Sequence, residues 1–193
     1  MTSRKPVVFI LILFLCCLCM AGHADAARTS NYSRTVEDLD LPDVTLVNQD
    51  GVRVTLREIL TCAGGPVLVD FVYTTCTTIC PVLSINFQNF QRTIHEESGK
   101  AHLVSISVDP EFDTPKEMKA YLKRYQAKPG WDFLTGSRED VDRVLKAFKV
   151  YARNKMDHPP VILLKSPKDK RWVRLYGLIG TTELLVEYEK VRP

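Results

Sequence analysis

The sequence has little net charge, and this limits the partners that the protein can have. Its 193 residues include 26 Lys and Arg against 23 Asp and Glu, a formal net charge of +3. Removing residues 1–26 takes away Arg4, Lys5 and Asp25 and leaves +2. Nucleic acids are bound by Lys and Arg clustered on one face, where they neutralise phosphates. The sequence therefore argues against nucleic acid as a partner.

Internal repeats and low-complexity tracts are also absent from the sequence. Hydrophobic residues make up 45% of the chain, which is enough for a single domain of this length to bury a core. One globular domain is therefore expected.

The N-terminal residues have the pattern of an export signal. Arg4 and Lys5 precede an apolar run, Val7–Ala21, and small residues follow it. The pattern predicts a signal peptide over residues 1–26 or, as the alternative, an uncleaved membrane anchor, since a spanning helix needs roughly 20 apolar residues. The protein is then expected in the periplasm or on the extracytoplasmic face of the inner membrane, where disulfides persist. The polar residues 27–41 predict a linker without fixed structure, and residues 42–193 the folded domain.

The centre of the sequence is an apolar run that leads into two cysteines. Val67–Tyr73 predicts a buried strand, and Cys76 and Cys80 follow it before a helix that starts near Pro81. A hairpin closed at Asp50-Gly51 is predicted before this strand. The remaining patterns predict, in order, a helical turn at 57–62, a helix to about 99, a strand at 103–108, a helix at 115–126, a strand at 131–134, a helix at 137–148, a hairpin of 161–164 with 172–176, and a last helix capped by Thr181 or Thr182.

This order of elements matches an α/β thioredoxin-like fold. We expect a central mixed sheet flanked by helices, with an N-terminal β-hairpin and an inserted helical segment. In open α/β sheets, ligands bind beyond the carboxyl ends of the parallel strands. Cys76 and Cys80 are expected at that place.

The two cysteines can form a disulfide, bind a soft metal ion or attack a substrate. Residues four apart lie about 6 Å apart on one helical face, and disulfides join Cα atoms separated by roughly 4.4 to 6.8 Å. A position at a helix N-terminus favours the thiolate, which promotes both metal binding and nucleophilic attack. A purely structural disulfide between Cys76 and Cys80 would restrain little of the unfolded chain, because the loop between them is short.

Only four histidines are available to complete a metal site. His23 would be lost with the signal peptide. His95 lies in a polar helical stretch and His102 at the end of a strand far from the cysteines, so neither is expected to be a ligand. His158 directly precedes a strand, and in a thioredoxin-like sheet the loop entering that strand faces the cysteines. Two thiolates and one imidazole suit copper, as Cu(I) or Cu(II), whereas a closed zinc site usually needs four protein ligands.

The sequence resembles the Sco/SenC family from about Leu41 to Tyr176. The resemblance is carried by a Cys-x3-Cys-Pro element, an Asp-Pro turn and a later Asp-His pair, in that order. The matching segments are Tyr73-Thr74-Thr75-Cys76-Thr77-Thr78-Ile79-Cys80-Pro81, Val108-Asp109-Pro110, Asp113-Thr114-Pro115, Trp131-Asp132-Phe133-Leu134-Thr135-Gly136 and Asp157-His158.

The resemblance implies an exported or membrane-tethered copper chaperone. Its ligands would be Cys76, Cys80 and His158. It would assist maturation of the binuclear copper centre of cytochrome c oxidase, with the copper-bearing oxidase subunit and other copper chaperones as partners.

Two alternatives use the same cysteines in enzymes. A thiol-disulfide oxidoreductase would keep exported cysteines reduced, with Cys76 attacking and Cys80 resolving the mixed disulfide. Pro159 and Pro160 favour it, because the family usually has Ser or Thr and an apolar run after this histidine, and a proline here is similar to the cis-proline that faces the cysteines of thioredoxins. A thiol peroxidase would use Cys80, and would need an arginine such as Arg92 near the thiolate.

Two further residues are singled out by their positions. Cys62 is expected to be a small buried hydrophobic residue rather than a reactive thiol. Asp70 lies inside the apolar strand, where a buried carboxylate needs a partner that the sequence does not reveal.

Overall fold

The computed structural model describes residues 32–61, 64–96 and 100–192. The predicted signal peptide or anchor and Cys62 lie outside the described residues, so the predictions made for them stay predictions. Within these ranges, no helix combines the length and the apolar character needed to cross a membrane.

The architecture is an eight-stranded mixed sheet with helices, in the strand order β1-β8-β7-β4-β5-β6-β2-β3. The strands are β1 (Tyr32–Glu37), β2 (Thr45–Asn48), β3 (Arg53–Thr55), β4 (Val67–Val72), β5 (His102–Ser107), β6 (Trp131–Thr135), β7 (Val161–Lys165) and β8 (Trp172–Gly177). The helices are α1 (Leu56–Ile59), α2 (Cys80–Glu96), α3 (Pro115–Arg124), α4 (Arg138–Ala147) and α5 (Thr181–Val191), and a 3₁₀ turn covers Lys155–Asp157.

The middle of the sheet is built from β4, β5 and β6, which run parallel. Every residue of β4 is buried, as expected for a strand covered on both faces. β7 pairs antiparallel with β4 on its other side and makes the sheet mixed. The carboxyl ends of β4, β5 and β6 therefore meet at one edge, and the predicted thioredoxin-like α/β fold is confirmed.

Helices α2 and α3 begin and pack as their sequence patterns predict. Leu83, Phe87, Phe90 and Ile94 recur at helical spacing on α2 and are all buried. The Thr114 side chain caps α3 by accepting from Glu117 N, with Pro115 in the first turn.

The predicted hairpin is also confirmed, because β2 and β3 pair antiparallel. Asn48 Oδ1 accepts hydrogen bonds from the backbone N–H groups of Asp50 and Val52. Gly51 adopts φ +77°, a conformation that glycine takes without strain.

The prediction that residues 27–41 lack fixed structure is wrong for part of this stretch. Tyr32–Glu37 forms β1, which pairs antiparallel with β8. Arg34 Nε donates to Glu187 Oε2 at 2.7 Å and the Tyr32 hydroxyl to Oε1 at 2.9 Å, and Glu187 on α5 is buried. The strand lacks the apolar alternation that predicts strands from sequence, because its four middle residues are exposed at the edge of the sheet.

The predicted cap of the last helix is also wrong. Gly180 holds the N-cap position of α5 and makes no side-chain capping bond. Thr181 is the first helical residue, and its hydroxyl donates instead to Asn86 Oδ1 on α2, at 3.1 Å.

Candidate metal centre

The two cysteines lie where β4 passes into α2. The backbone N–H of Cys76 donates to Tyr73 O at 3.1 Å, which closes a turn directly after the strand. Cys80 is the first residue of α2, and its backbone N–H points at Cys76 Sγ, 3.5 Å away. Both thiols are free and buried, so the structure brings together the pair that the spacing predicts.

The two thiols differ strongly in acidity. Burial opposes ionisation of Cys76, but hydrogen bonds from the Cys80 thiol and from the backbone N–H groups of Cys80 and Thr78 outweigh it and lower the pKa of Cys76 to about 6. Burial raises the pKa of Cys80 well above its ordinary value, and the Cys76 sulfur raises it further. The thiolate form is therefore favoured on Cys76 and disfavoured on Cys80.

Asp113 ties the cysteine loop to the neighbouring strand. Its Oδ1 accepts from the backbone N–H of Thr74 at 3.0 Å and from the Thr74 hydroxyl at 2.6 Å. Its Oδ2 accepts from the Ser107 hydroxyl, at the end of β5, at 2.5 Å. Asp113 is fully buried, and burial raises its pKa despite these donors. The sequence does not predict this contact, although the position of Asp113 after the strand next to β4 is a signal that could have revealed it.

His158 approaches the cysteine loop from the strand-β7 side. Its ring packs edge-on against Tyr73, with ring centroids 5.7 Å apart, and Tyr73 O is the acceptor for Cys76 N. His158 Nδ1 lies 2.8 Å from Lys155 O; since a carbonyl only accepts, this contact assigns the proton to Nδ1. Nε2 is then left with a free lone pair, buried and without a hydrogen-bond partner among the described residues.

The loop that carries His158 is held by an ion pair. Lys155 Nζ lies 2.5 Å from Asp109 Oδ2, and Asp109 is buried at the end of β5. The Asn154 side chain accepts from the backbone N–H of Met156 at 3.1 Å. Lys155 supplies both the ammonium group of this pair and the carbonyl that orients His158. By holding Lys155, Asp109 therefore helps to fix the orientation of the His158 ring.

Tyr73 separates the two loops and interacts with both. Its hydroxyl donates to Met156 Sδ at 3.0 Å, and Lys155 Nζ lies 5.2 Å from the ring centroid. Burial raises the pKa of Tyr73 above its ordinary value, and Cys76 raises it further. The Tyr73 hydroxyl therefore contacts a sulfur atom of the loop that carries His158. Beyond His158 the surface opens into a cavity of about 420 Å³ whose wall includes Phe112, Arg138 and Tyr151.

His158 is close to the cysteine loop without joining the thiols in one cluster. In residues 32–61, 64–96 and 100–192, no three His, Cys, Asp or Glu side chains form a group that could hold a metal ion. The donor set still fits a soft metal, because two free thiols and a buried imidazole nitrogen without a hydrogen-bond partner among the described residues lie on loops that meet at Tyr73. The role of His158 as third ligand stays a prediction.

The other histidines lie away from the cysteines. His102 Nε2 lies 2.7 Å from Asp132 Oδ2 at the opposite end of β5. His95 lies exposed in the last turn of α2. Both positions are as the sequence suggests.

The features that favoured the enzyme alternatives are not found. Arg92 donates to Asn89 on an exposed face of α2, and across the described part of the chain no arginine bonds or pairs with either cysteine. No described peptide bond is cis, so Pro159 and Pro160 do not reproduce a cis-proline.

Asp70 lies fully buried in the middle of β4. Neither carboxylate oxygen has a hydrogen-bond partner among the described residues. Burial raises the pKa of Asp70 to about 7, against a smaller lowering influence of Ser105, its neighbour on β5. Among the described residues, Asp70 therefore lacks the hydrogen-bond partner that the sequence called for, and no such bond offsets the cost of burying its carboxyl group.

The fold is a thioredoxin-like sheet, and the site combines two cysteine thiols with an imidazole on a neighbouring loop. Together they define a class of proteins that use cysteines for metal binding or redox chemistry. Within this class, the chain belongs to the SCO1/SenC family, whose model matches residues 37–187. It is 32% identical over 156 residues to the SCO1 protein homolog of Bacillus subtilis, covering 79% of this chain and 74% of the relative. It is 33% identical to the mitochondrial SCO1 homolog 1 of Arabidopsis thaliana, covering 69% of this chain and 41% of that longer protein.

Solved structures agree with the family assignment. BsSco, described as a member of the Sco family of cytochrome c oxidase assembly proteins with a disulfide switch, matches with a TM-score of 0.67 and 27% identity over 81% of this chain and 95% of its own. ScoI of Bradyrhizobium japonicum with copper bound matches with a TM-score of 0.63 and 28% identity over 78% and 98%.

Proposed function

We propose that this protein binds copper through Cys76 and Cys80, with His158 as the third ligand, and serves the assembly of the copper centre of cytochrome c oxidase. The observation that carries the proposal is the free, buried pair Cys76 and Cys80 on one loop and, on the loop that meets it at Tyr73, a buried His158 Nε2 without a hydrogen-bond partner among the described residues. A copper-bound relative at 28% identity supports the choice of metal.

The charge state of the site suits the binding of copper. Thiolates select Cu(I), and an added imidazole accommodates Cu(II). Binding through both sulfurs requires Cys80 to lose its proton, so copper uptake releases protons. Coordination by His158 requires its loop and the cysteine loop to draw together around the metal.

The cellular location of this activity is inferred from the export pattern of the N-terminus. Residues 1–26 direct the chain to the periplasm or hold it at the extracytoplasmic face of the membrane, and the domain that follows handles copper there. Its partners are then the copper-bearing oxidase subunit and other copper chaperones. The description of BsSco as a member of a family of oxidase assembly proteins supports this assignment.

Anaerobic copper titration with absorption and EPR detection tests the proposal. Wild type should retain one equivalent of Cu(I), and Cys76→Ser/Cys80→Ser should retain none. His158→Ala should lose Cu(II) binding and keep part of its Cu(I) binding, while His95→Ala, an exposed matched control, should behave as wild type. Equal Cu(I) retention by wild type and the double serine variant would overturn the proposal, and an unchanged Cu(II) spectrum in His158→Ala would remove that residue from the site.

A thiol-disulfide reductase and a thiol peroxidase are less well supported. The thiol asymmetry suits attack by Cys76, yet it equally suits metal binding. The copper-bound relative favours metal binding.

A further inference from the structure

We propose that Met156 is an accessory Cu(I) ligand at the solvent edge of the site, where it receives copper from a donor and releases it to an acceptor. This inference rests on the proposed copper function and adds an exchange position to it. The chain places a thioether two residues before His158, on the 3₁₀ turn Lys155–Asp157.

The contacts of Met156 connect it to the thiol site through Tyr73. Its Sδ accepts a hydrogen bond from the Tyr73 hydroxyl at 3.0 Å, and the Tyr73 ring packs against His158. The Tyr73 backbone carbonyl accepts from the Cys76 N–H at 3.1 Å. One residue therefore contacts the thioether, the imidazole and the backbone of the cysteine loop.

Exposure distinguishes Met156 from the other sulfur donors. Its side chain is 61% exposed, whereas Cys76 is 6% and Cys80 0% exposed. A copper carrier docking on this surface would meet the thioether before the buried thiols. The turn is also held in place, since the Asn154 side chain accepts from the backbone N–H of Met156 and Lys155 is paired with Asp109.

The chemistry of a thioether suits an exchange position. Methionine sulfur is a soft, neutral donor that selects Cu(I) without needing to lose a proton. Its second lone pair stays free while the first accepts from Tyr73. A neutral thioether binds Cu(I) less strongly than a thiolate does, so it can pass the ion on.

The transfer is a ligand exchange without change of oxidation state. A bond between Cu(I) and a sulfur or nitrogen ligand of the donor breaks as the bond to Met156 Sδ forms. The Sδ bond then breaks as Cys76 and Cys80 bind, and the Cys80 proton passes to solvent. Delivery runs through the same bonds in reverse.

Methionine methyl NMR under anaerobic conditions tests the proposal on the purified full chain. The protein is labelled with ¹³C at the methionine methyl groups and titrated with Cu(I), and Met156→Leu identifies the Met156 signal. Met118, fully buried on α3, serves as the internal control. Below one equivalent of Cu(I), the Met156 signal should shift or broaden while the Met118 signal stays in place.

Transfer kinetics provide the second measurement. Cu(I) release from the loaded protein to a chromophoric Cu(I) chelator should slow about tenfold in Met156→Leu, at the lower end of the effect of residues that support a metal site. The equilibrium stoichiometry should stay that of wild type, because the thiolates remain.

The outcomes separate this inference from the function on which it rests. Retention of Cu(I) by wild type with an unmoved Met156 signal and equal release rates in Met156→Leu would overturn the accessory role and leave the copper function standing. Failure of wild type to retain Cu(I) would overturn both.

Discussion

Thr74 and Asp113 are joined by two hydrogen bonds to one carboxylate oxygen, from the Thr74 backbone N–H at 3.0 Å and from its hydroxyl at 2.6 Å. The contact connects the loop that carries the cysteines to the turn that follows β5. It makes the geometry of the thiol pair depend on a residue that touches neither sulfur.

Replacing Asp113 should therefore weaken both the fold and the site. Asp113→Ala leaves the donors of half-buried Thr74 and buried Ser107 without their acceptor, and we expect a loss of about 2 to 4 kcal/mol in the free energy of unfolding. Urea unfolding measures this loss, and Cu(I) affinity under folded conditions should fall as well. Glu117→Ala, an exposed acidic residue of the same segment, should change stability by less than about 0.5 kcal/mol. Equal stability of wild type and Asp113→Ala would contradict the supporting role.

Asp70 should make stability depend on pH. Its pKa is raised by burial from 3.8 to about 7, so the folded state holds a proton that the unfolded state has released between these values. The unfolding free energy contributed by this group is therefore full below pH 3.8 and is lost as pH rises to 7.

Asp70→Asn removes this dependence. Relative to wild type, the variant should gain about 2 to 4 kcal/mol of stability between pH 4 and pH 8. Urea unfolding of both proteins at a series of pH values measures the difference, in which the titration of the cysteines largely cancels. A stability difference that is constant with pH would show that Asp70 ionises normally in the fold.

Alkylation should distinguish the two thiols of the pair. Because the pKa of Cys76 is lowered to about 6 and that of Cys80 is raised, iodoacetamide should modify Cys76 with a rate that is half-maximal near pH 6, while Cys80 stays unmodified to alkaline pH. Peptide mapping by mass spectrometry assigns the modified residue and separates both from Cys62. A midpoint near the ordinary cysteine value of about 8.5 would refute the difference in acidity between the two thiols.

The ion pair between Lys155 and Asp109 should affect Cu(II) more than Cu(I). Lys155→Ala releases the turn that orients His158, and we expect a fall of about tenfold in Cu(II) affinity, as for other residues that orient a metal-binding histidine. Cu(I), held mainly by the sulfurs, should be retained. EPR-monitored competition measures the Cu(II) affinity.

The exposed pair of Lys119 with Asp50, at 2.7 Å, provides the matched control. Lys119→Ala removes the same charge from a surface ion pair remote from the cysteines, and surface pairs contribute little. It should leave both copper affinities unchanged. Parallel losses in the two variants would point to net charge rather than to His158.

Local patterns along the chain predicted most of the elements. The apolar run of β4, the helical spacing on α2 and the capping signal before α3 are each contained in a short stretch, so no distant contact was needed to recognise them. β1 was missed because its pairing with β8 and the Arg34–Glu187 ion pair join residues more than a hundred positions apart. A polar edge strand has no apolar period to reveal it.

The sequence by itself determined the thiol pair, since four-residue spacing at the junction of a buried strand and a helix places both sulfurs on one turn whatever surrounds them. It also indicated His158, through the order of the elements. Only the tertiary structure decided which thiol ionises, which carboxylate holds the loop and which sulfur faces the solvent. These properties depend on burial and on hydrogen bonds between loops that meet through the sheet, and neither can be calculated from the positions of residues along the chain.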